Sequence, residues 1–287
     1  MRVLVTGGTG YIGSHLVDAL IRRGDEVLVI DNLSTGRYEN IRHLRGNPAF
    51  RFINDTILNE ALLERMIPSR DLIFHLAAAV GVRHIVKDPL AAINTNVRGT
   101  EVVLDQAFRY WKRIVIASTS EIYGKASHVP FREDDDRVLG STAVTRWSYS
   151  MSKAIDEHFA FAYAAKGLPV SIVRYFNSYG PRLDERGYGS VVANFARQAL
   201  HGEPITVHGD GQQSRCFTFI SDTVAGTLLA GEVAGAVGEA FNIGSPHETS
   251  ILELAHTVKR LTRSKSPIQF VPYEVCYGSG FEDPRRR

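Results

Sequence analysis

Residues 2–24, "RVLVTGGTGYIGSHLVDALIRRG", decide the fold. "RVLVTGG" is a short β-branched run ending in glycines, and "SHLVDALIRRG" carries apolar residues at helical spacing with Gly24 as a stop signal. Between them Gly7, Gly10 and Gly13 form a G-x-x-G-x-x-G turn from strand to helix. Glycines let the backbone turn tightly and admit a pyrophosphate to the amide-rich, positive end of the helix. A glycine turn alone is a weak signal, because many strand-to-helix loops use Gly for conformational reasons. The next strand supplies the context. "DEVLVIDN" reads as a second buried strand, and Asp31 closes it 18 residues after Gly13. A carboxylate at that distance accepts hydrogen bonds from the adenosine ribose hydroxyls of a dinucleotide. It also repels a 2′-phosphate, which favours NAD over NADP, with nearby Arg37 as the one opposing signal.

The same alternation continues through "RFIND", "LIFHLAAA", "INTNVRGTEVVLDQAFRYW", "RIVIASTS", "SYSMSKAIDEHFAFAYAAKG" and "PVSIVRYFN". Strands alternating with helices predict an α/β fold, a doubly wound parallel sheet covered on both faces. After about Pro181 the rhythm becomes irregular. "VVANFARQALHG" and "ILELAHTVKRLT" read as helices, and "ITVHGDG", "RCFTFI" and "AFNIG" as short strands. This predicts a Rossmann domain over 1–178, with segments near 217–245 returning to it, and a smaller mixed α/β domain over 179–287.

The bulk properties exclude several classes. A chain of 287 residues, 44% hydrophobic and 22% charged, is that of an ordinary globular protein. A formal charge of +2 with both signs mixed gives no reason to expect nucleic acid as a partner, the terminal "PRRR" being the exception. Cys216 and Cys276 are too few for a disulfide framework, no leader precedes the first strand, and no apolar run approaches the roughly 20 residues that span a bilayer. A cytoplasmic, reduced protein is the expectation. No histidine pair has metal-ligand spacing, and His75, ending an apolar strand, reads as a packed core residue. No G-x-S-x-G elbow presents a serine nucleophile.

Two further groups carry chemistry. Tyr149 and Lys153 are four residues apart in a helical pattern, so they share one face. A free phenol has a pKa near ~10, too high for a base at neutral pH, but a neighbouring ammonium and a positive nicotinamide both favour phenolate. Asp55, ending "RFIND", is a candidate for the adenine amino group, and the small Ala77, Ala78 and Ala79 can pass close beside a cofactor. For an anionic diphosphate, "FNSYGPR" offers Asn177 and Arg182, and "QQSRCF" offers Arg215. Arg182 reads equally as a structural ion-pair residue. Arg83 is a candidate for a substrate carboxylate, with an exposed helix-start arginine as the plainer reading.

Taken in order, "TGGTGYIGSHL", "DNLSTG", "HLAA", "NTNVRGT", "STSEIYG", "YSMSK", "RYFNSYGPR" and "GDGQQSRCFTFISD" resemble the extended short-chain dehydrogenase/reductases that modify nucleotide sugars. The resemblance covers essentially the whole chain. It implies a tightly held NAD that takes a hydride from the sugar C4, with Tyr149 accepting the C4 hydroxyl proton, Thr119 sharing that hydrogen bond and Lys153 holding a ribose hydroxyl. It widens the cofactor set to Tyr11, Ile12, Asn32, Ser34, Thr35, Gly36, Thr56, Leu76 and Asn96. Asn177 and Arg215 are implied at the UDP diphosphate, with Val192 of "VVANF" and Val207 of "ITVHG" near the uracil and ribose, and Tyr277 also on the substrate side.

Ser120 and Glu121 select among reactions. Members similar to 4-epimerases carry small or hydroxyl residues at both places, because hydride removal, rotation and return need no second base. Members similar to 4,6-dehydratases carry Asp-Glu, and Ser120 is a poor substitute for the acid. Thr119-Ser120-Glu121 resembles the UDP-glucuronate decarboxylases, where oxidation at C4 makes a β-keto acid that can release carbon dioxide. A carboxyl side chain near C5 and C6 either destabilises the substrate carboxylate or handles the C5 proton. "YGSGFEDPRRR" resembles the stretch where such enzymes place a functional arginine four residues after an Asp; counting from Asp283, the match is Arg287. Relatives continue beyond that point with a further strand and helix. Decarboxylation to a UDP-4-keto-pentose or UDP-xylose is the expected activity, with a UDP-hexose or UDP-uronate 4-epimerase as rival. A non-catalytic NAD-binding regulator is opposed by the intact Thr119, Tyr149 and Lys153. Relatives also pair through the Tyr-Lys helix, which makes a homodimer the expected state.

Overall fold

The computed structural model describes residues 1–81, 88–126, 128–183, 190–277 and 285–287. Its first strand, β1 (Arg2–Thr6), leads through the glycine turn into helix α1 (Tyr11–Arg22). There follow β2 (Glu26–Asp31), β3 (Phe50–Asn54), α2 (Glu60–Met66) and β4 (Leu72–His75). The long helical pattern after it divides into α3 (Pro89–Ile93), a π-helical turn (Asn94–Arg98) and α4 (Gly99–Arg109). Next come β5 (Arg113–Thr119), a 3₁₀ turn (Ser120–Tyr123), α5 (Trp147–Ala165), β6 (Val170–Tyr175) and β7 (Ser178–Tyr179).

Beyond β7 the chain forms α6 (Val191–His201), β8 (Ile205–His208), β9 (Ser214–Cys216), β10 (Thr218–Phe219) and α7 (Ile220–Glu232). It continues with β11 (Ala240–Ile243), β12 (Glu248–Ser250), α8 (Ile251–Leu261), β13 (Ile268–Val271) and α9 (Tyr273–Tyr277).

Among the described residues the principal sheet has seven strands in the order β11-β6-β5-β4-β1-β2-β3, every neighbouring pair parallel. Strand alternation explains why both faces are covered. Val3, Val5, Val27 and Val29 pack with Leu16, Val17 and Leu20 of α1 and with Val224 and Ala230 of α7. Leu4, Leu28 and Ile30 point the other way, into a core with Leu62, Leu63, Val103, Leu104 and Ala160 from α2, α4 and α5. Each fully buried side chain of this kind contributes about 1.5–3 kcal/mol. The doubly wound α/β expectation is met.

The strand order reverses between β1 and β4: from β1 the chain runs outward to β2 and β3, then crosses back to β4. The carboxyl ends of these two strands open the crevice in which such sheets hold ligands. A separate apolar core joins Phe195 and Ala199 of α6, Ile205 and Val207 of β8, and Ile251, Ala255 and Val258 of α8. Helix α8 begins at Ser250, whose side chain accepts from the Glu253 amide at 3.1 Å. β8 pairs with β13, and β9 with β12, as short two-stranded sheets beside the principal one.

Candidate active site

The glycine turn leaves no room for side chains. A Cβ on Gly13 would lie 2.2 Å from the Gly7 carbonyl oxygen, and one on Gly7 would meet the Ala77 backbone nitrogen at 2.6 Å. Gly7 also has φ +73°, in the left-handed region that favours glycine. Asp31 is 8% exposed and accepts from the amides of Thr9 at 3.0 Å and Leu33 at 2.8 Å, so its carboxylate is fixed at the end of β2.

These residues floor one cleft of about 540 Å³ that runs from the glycine turn to the end of β5. Gly7, Gly10, Tyr11, Ile12, Gly13, Asp31, Asn32, Ser34, Thr35, Gly36, Asp55, Thr56, Leu76, Ala77 and Ala78 line its first part. Thr119, Ser120, Glu121, Tyr149, Lys153, Asn177, Arg182 and Arg287 line its second. The turn in which Gly7 and Gly13 leave no space for a Cβ, and the fixed Asp31 beside it, fit a dinucleotide.

Asn96 does not line the cleft. It is 1% exposed, its Oδ1 accepting from the Ala79 amide at 2.7 Å and its Nδ2 donating to Ser152 Oγ at 3.1 Å, so it ties the loop after β4 to α5. Val207 is a correction: strand alternation turns it, with Ile205, into the α6–α8 core at 0% exposure, and its side chain reaches no cleft surface. Val192 and Arg215 also lie off the lining; Arg215 is 7% exposed and donates to the Ser214 carbonyl at 2.7 Å. Arg182 forms an ion pair with Asp18 at 2.6 Å while still facing the cleft. Arg83, Asp283 and the side chain of Tyr277 lie outside the described residues.

At the chemical end, β5 delivers Thr119 and the 3₁₀ turn delivers Ser120 and Glu121. Thr119 Oγ1 accepts from the Glu121 amide at 3.2 Å, and Ser150 Oγ donates to the Glu121 carbonyl at 2.8 Å, locking the turn to α5. The Tyr149 hydroxyl hydrogen-bonds the Thr119 side chain. Burial pushes the Tyr149 phenol up from its ordinary value, reinforced by the negative charges of Glu121 and Asp156, against the Thr119 hydrogen bond and Arg287. Lys153 departs from the simple phenol–ammonium picture: its Nζ donates to Asp156 Oδ2 at 2.9 Å. His75 is a packed residue, 1% exposed between Thr6 Oγ1 at 2.8 Å and Thr100 Oγ1 at 3.1 Å. Burial, with Lys153 nearby, lowers it to about 3.

Glu121 sits between two guanidiniums. Arg287 Nη1 donates to its Oε1 at 2.7 Å, and Arg146 Nη1 lies 3.6 Å from its Oε2. Burial would raise the carboxyl, but the charges of Arg287 and Arg146 and the Arg287 hydrogen bond overcome it and hold it at about 2. Arg146 is 7% exposed with its guanidinium carbon 5.5 Å from the centre of the Trp147 ring, and it is a lining residue that sequence reasoning passed over. Its position three residues before Tyr149, on the same helical face, was the available signal.

The arginine run is a docked strand, not a free surface tail. The Ser214 amide donates to the Arg285 carbonyl at 2.9 Å, the Arg287 amide to the Ser214 carbonyl at 3.2 Å, and the Cys216 amide to the Arg287 carbonyl at 3.1 Å. Arg285 forks onto Asp210 at 3.0 and 2.9 Å, and Arg286 onto Glu248 at 2.8 and 2.6 Å. Arg287 is thereby turned inward.

The chain matches the NAD dependent epimerase/dehydratase family over residues 3–244. It is 44% identical over 287 residues to the UDP-N-acetyl-alpha-D-glucosaminuronate decarboxylase of Bacillus cytotoxicus, covering 100% of this chain and 88% of that one. It is 41% identical to UDP-glucuronic acid decarboxylase 1 of Arabidopsis thaliana, of which it spans 63% while being covered in full itself. Among solved structures, UDP-glucose 4-epimerase of Thermotoga maritima with UDP-glucose superposes with a TM-score of 0.89 at 34% identity, covering 100% of this chain and 88% of that one. UDP-glucuronic acid 4-epimerase of Bacillus cereus, in complex with UDP-glucuronic acid and NAD, gives 0.86 at 31%, covering 100% and 89%. With the glycine cradle, the fixed carboxylate of Asp31 and the Tyr149–Lys153 pair on one cleft, the chain belongs to the NAD dependent epimerase/dehydratase family.

Proposed function

We propose that the protein is an NAD-dependent decarboxylase of a UDP-linked uronate, UDP-glucuronate first, forming a UDP-4-keto-pentose, UDP-xylose or both. The observation that carries this reading is the charge at the sugar end of the cleft. Two guanidiniums, Arg287 and Arg146, face the carboxylate of Glu121 at the end of the cleft that also holds Thr119 and Tyr149. Paired guanidiniums at that place suit a sugar that carries a carboxylate better than a neutral hexose, because a carboxylate accepts charge-assisted hydrogen bonds from arginine. The relatives named as decarboxylases support the same choice.

Bound NAD supplies reversible hydride acceptance at the sugar C4. Tyr149 takes the C4 hydroxyl proton, the Thr119 hydroxyl keeps the phenol oriented, and Lys153 holds the nicotinamide ribose. The resulting C4 ketone stands β to the C6 carboxylate, so the C5–C6 bond breaks, carbon dioxide leaves and the electron pair rests in the enolate. Arg287 and Arg146 hold the carboxylate until it leaves. Glu121, ionised, keeps Arg287 and Arg146 in place, and the enolate takes its C5 proton from water. Asn177 and Arg182, on the cleft wall, suit the UDP diphosphate.

The division of labour we infer is a cofactor part over 1–178, with 217–245 returning to it, and a nucleotide-sugar part over the rest. Helices α3 and α5 leave Leu90, Ile93, Met151, Ile155 and Phe161 between 36% and 68% exposed, an apolar face that a second copy would cover. Light scattering tests that dimer. Among the described residues no helix is long and apolar enough to cross a membrane.

The deciding experiment incubates the protein with UDP-glucuronate and with its 2-acetamido counterpart, following carbon dioxide and product mass. Loss of carbon dioxide from either supports the reading. Unchanged mass with a new stereocentre replaces it with 4-epimerisation.

A further inference from the structure

Lys153 and Asp156 form an ion pair with side chains 3% and 0% exposed, directly beneath the cleft. Tyr149, Lys153 and Asp156 stand at i, i+4 and i+7 of α5, one continuous stripe of the helix. A buried Lys–Asp pair adds little stability over an apolar pair of the same volume, because desolvation offsets the attraction. Its presence inside a helix that could have used leucine and alanine therefore calls for another reason. The Lys153 ammonium is the positive charge nearest the phenol along its own helix, and Asp156 is in direct contact with it at 2.9 Å.

We propose that Asp156 is a positioning residue that anchors and neutralises Lys153, and so sets the pH at which Tyr149 becomes a base. The inference rests on Tyr149 being the base of the proposed reaction. The other charged or titratable groups that bear on the phenol come from several elements. Glu121 stands on the turn after β5, beside Thr119 on the strand itself. Arg287 reaches in from the docked tail, and the charges of Arg146 just before α5 and of Arg215 on β9 also act on Glu121. His75 on β4 lies neutral beside Lys153. Glu157 on α5 is already engaged by Arg174 of β6 at 3.0 and 2.7 Å and by Ser118 at 2.5 Å. Asp156 is thus the counter-charge assigned to Lys153; burial pushes its carboxyl up and the adjacent Lys153 charge pulls it down.

A separation of i to i+7 places Asp156 about 10 Å along the axis from Tyr149. At an effective dielectric of about 20, removing its charge moves the phenol midpoint down by about one pH unit.

The test uses the NAD-loaded protein with tyrosine labelled with carbon-13 at the hydroxyl-bearing ring carbon. The Tyr149 resonance is assigned against Tyr149→Phe and followed against pH in wild type, Asp156→Asn, Asp156→Ser and Asp156→Glu. Two neutral variants are included so that one folding failure does not stop the experiment, and circular dichroism reports folding. The expected result is a midpoint lower by about one unit in either neutral variant and unmoved in Asp156→Glu. The alkaline rise of kcat/KM on the uronate should follow the same order. Equal midpoints in wild type and a folded neutral variant overturn the proposal. A shifted midpoint in a protein that releases no carbon dioxide keeps the role of Asp156 and overturns the decarboxylase reading instead.

Discussion

Replacing Glu121 by glutamine removes a carboxylate while keeping its size and its place on the 3₁₀ turn. In the native protein its carboxyl is held at about 2 against an ordinary 4.5, which favours the ionised form by about 3 kcal/mol. Because the folded value is depressed, that stability is fully present above about pH 4.5 and is lost as the pH falls towards about 2. Glutamine cannot ionise, and it leaves Arg287 and Arg146 facing each other without the intervening charge. Urea unfolding of wild type and Glu121→Gln should therefore differ by about 3 kcal/mol at about pH 7, with most of that gap closed at about pH 3. A gap that stays constant with pH refutes the charge pairing. Carbon dioxide release in the same variant should fall by about 10-fold or more, because the ionised carboxylate no longer holds the two arginines at the sugar end of the cleft. Full activity removes Glu121 from the mechanism.

Arg146→Met should raise KM for the uronate by about 10-fold with a smaller change in kcat, read from initial rates, because one of two charge-assisted contacts is lost. An unchanged KM would sink its part in holding the carboxylate. Gly13→Ala drives a Cβ to 2.2 Å from the Gly7 carbonyl, so the purified protein should carry far less NAD, measured as nucleotide released on denaturation. Normal cofactor content would contradict the cradle. Ser250→Ala deletes the cap of α8 and should lower unfolding stability by about 1 kcal/mol, leaving NAD content unchanged.

The sheet and its cofactor edge were readable in the chain because they rest on local rules. Val3, Leu4 and Val5 alternate between two apolar cores, and the turn at Gly7 and Gly13 tolerates no Cβ. What escaped was set by distant partners. Arg146 looks like any charge beside an amphipathic helix until the turn after β5 is seen against it, whereas Asp156 has a local partner, Lys153, and only the burial of that pair comes from elsewhere in the fold. Val207 follows alternation: with Ile205 it forms the apolar side of β8, and the helices that cover that side, α6 and α8, come from elsewhere in the chain. Asn96 lies in a helical stretch one would assign to the cofactor, yet its hydrogen bonds serve Ala79 and Ser152, a job defined only by tertiary packing. The arginine run gave no sign of its docking, since the bond from Arg287 to Glu121 spans 166 positions.

That docked run links the chemistry to the surrounding electrolyte. Arg285 and Arg286 are 62% and 57% exposed where they fork onto Asp210 and Glu248, so counter-ions reach both pairs freely. Arg287, 10% exposed, is the shielded end of the same strand. Dissolved salt that loosens the outer two clasps loosens the support of the inner one, and the affinity for a carboxylated sugar becomes a function of ionic strength set more than a few residues away from the reacting carbon.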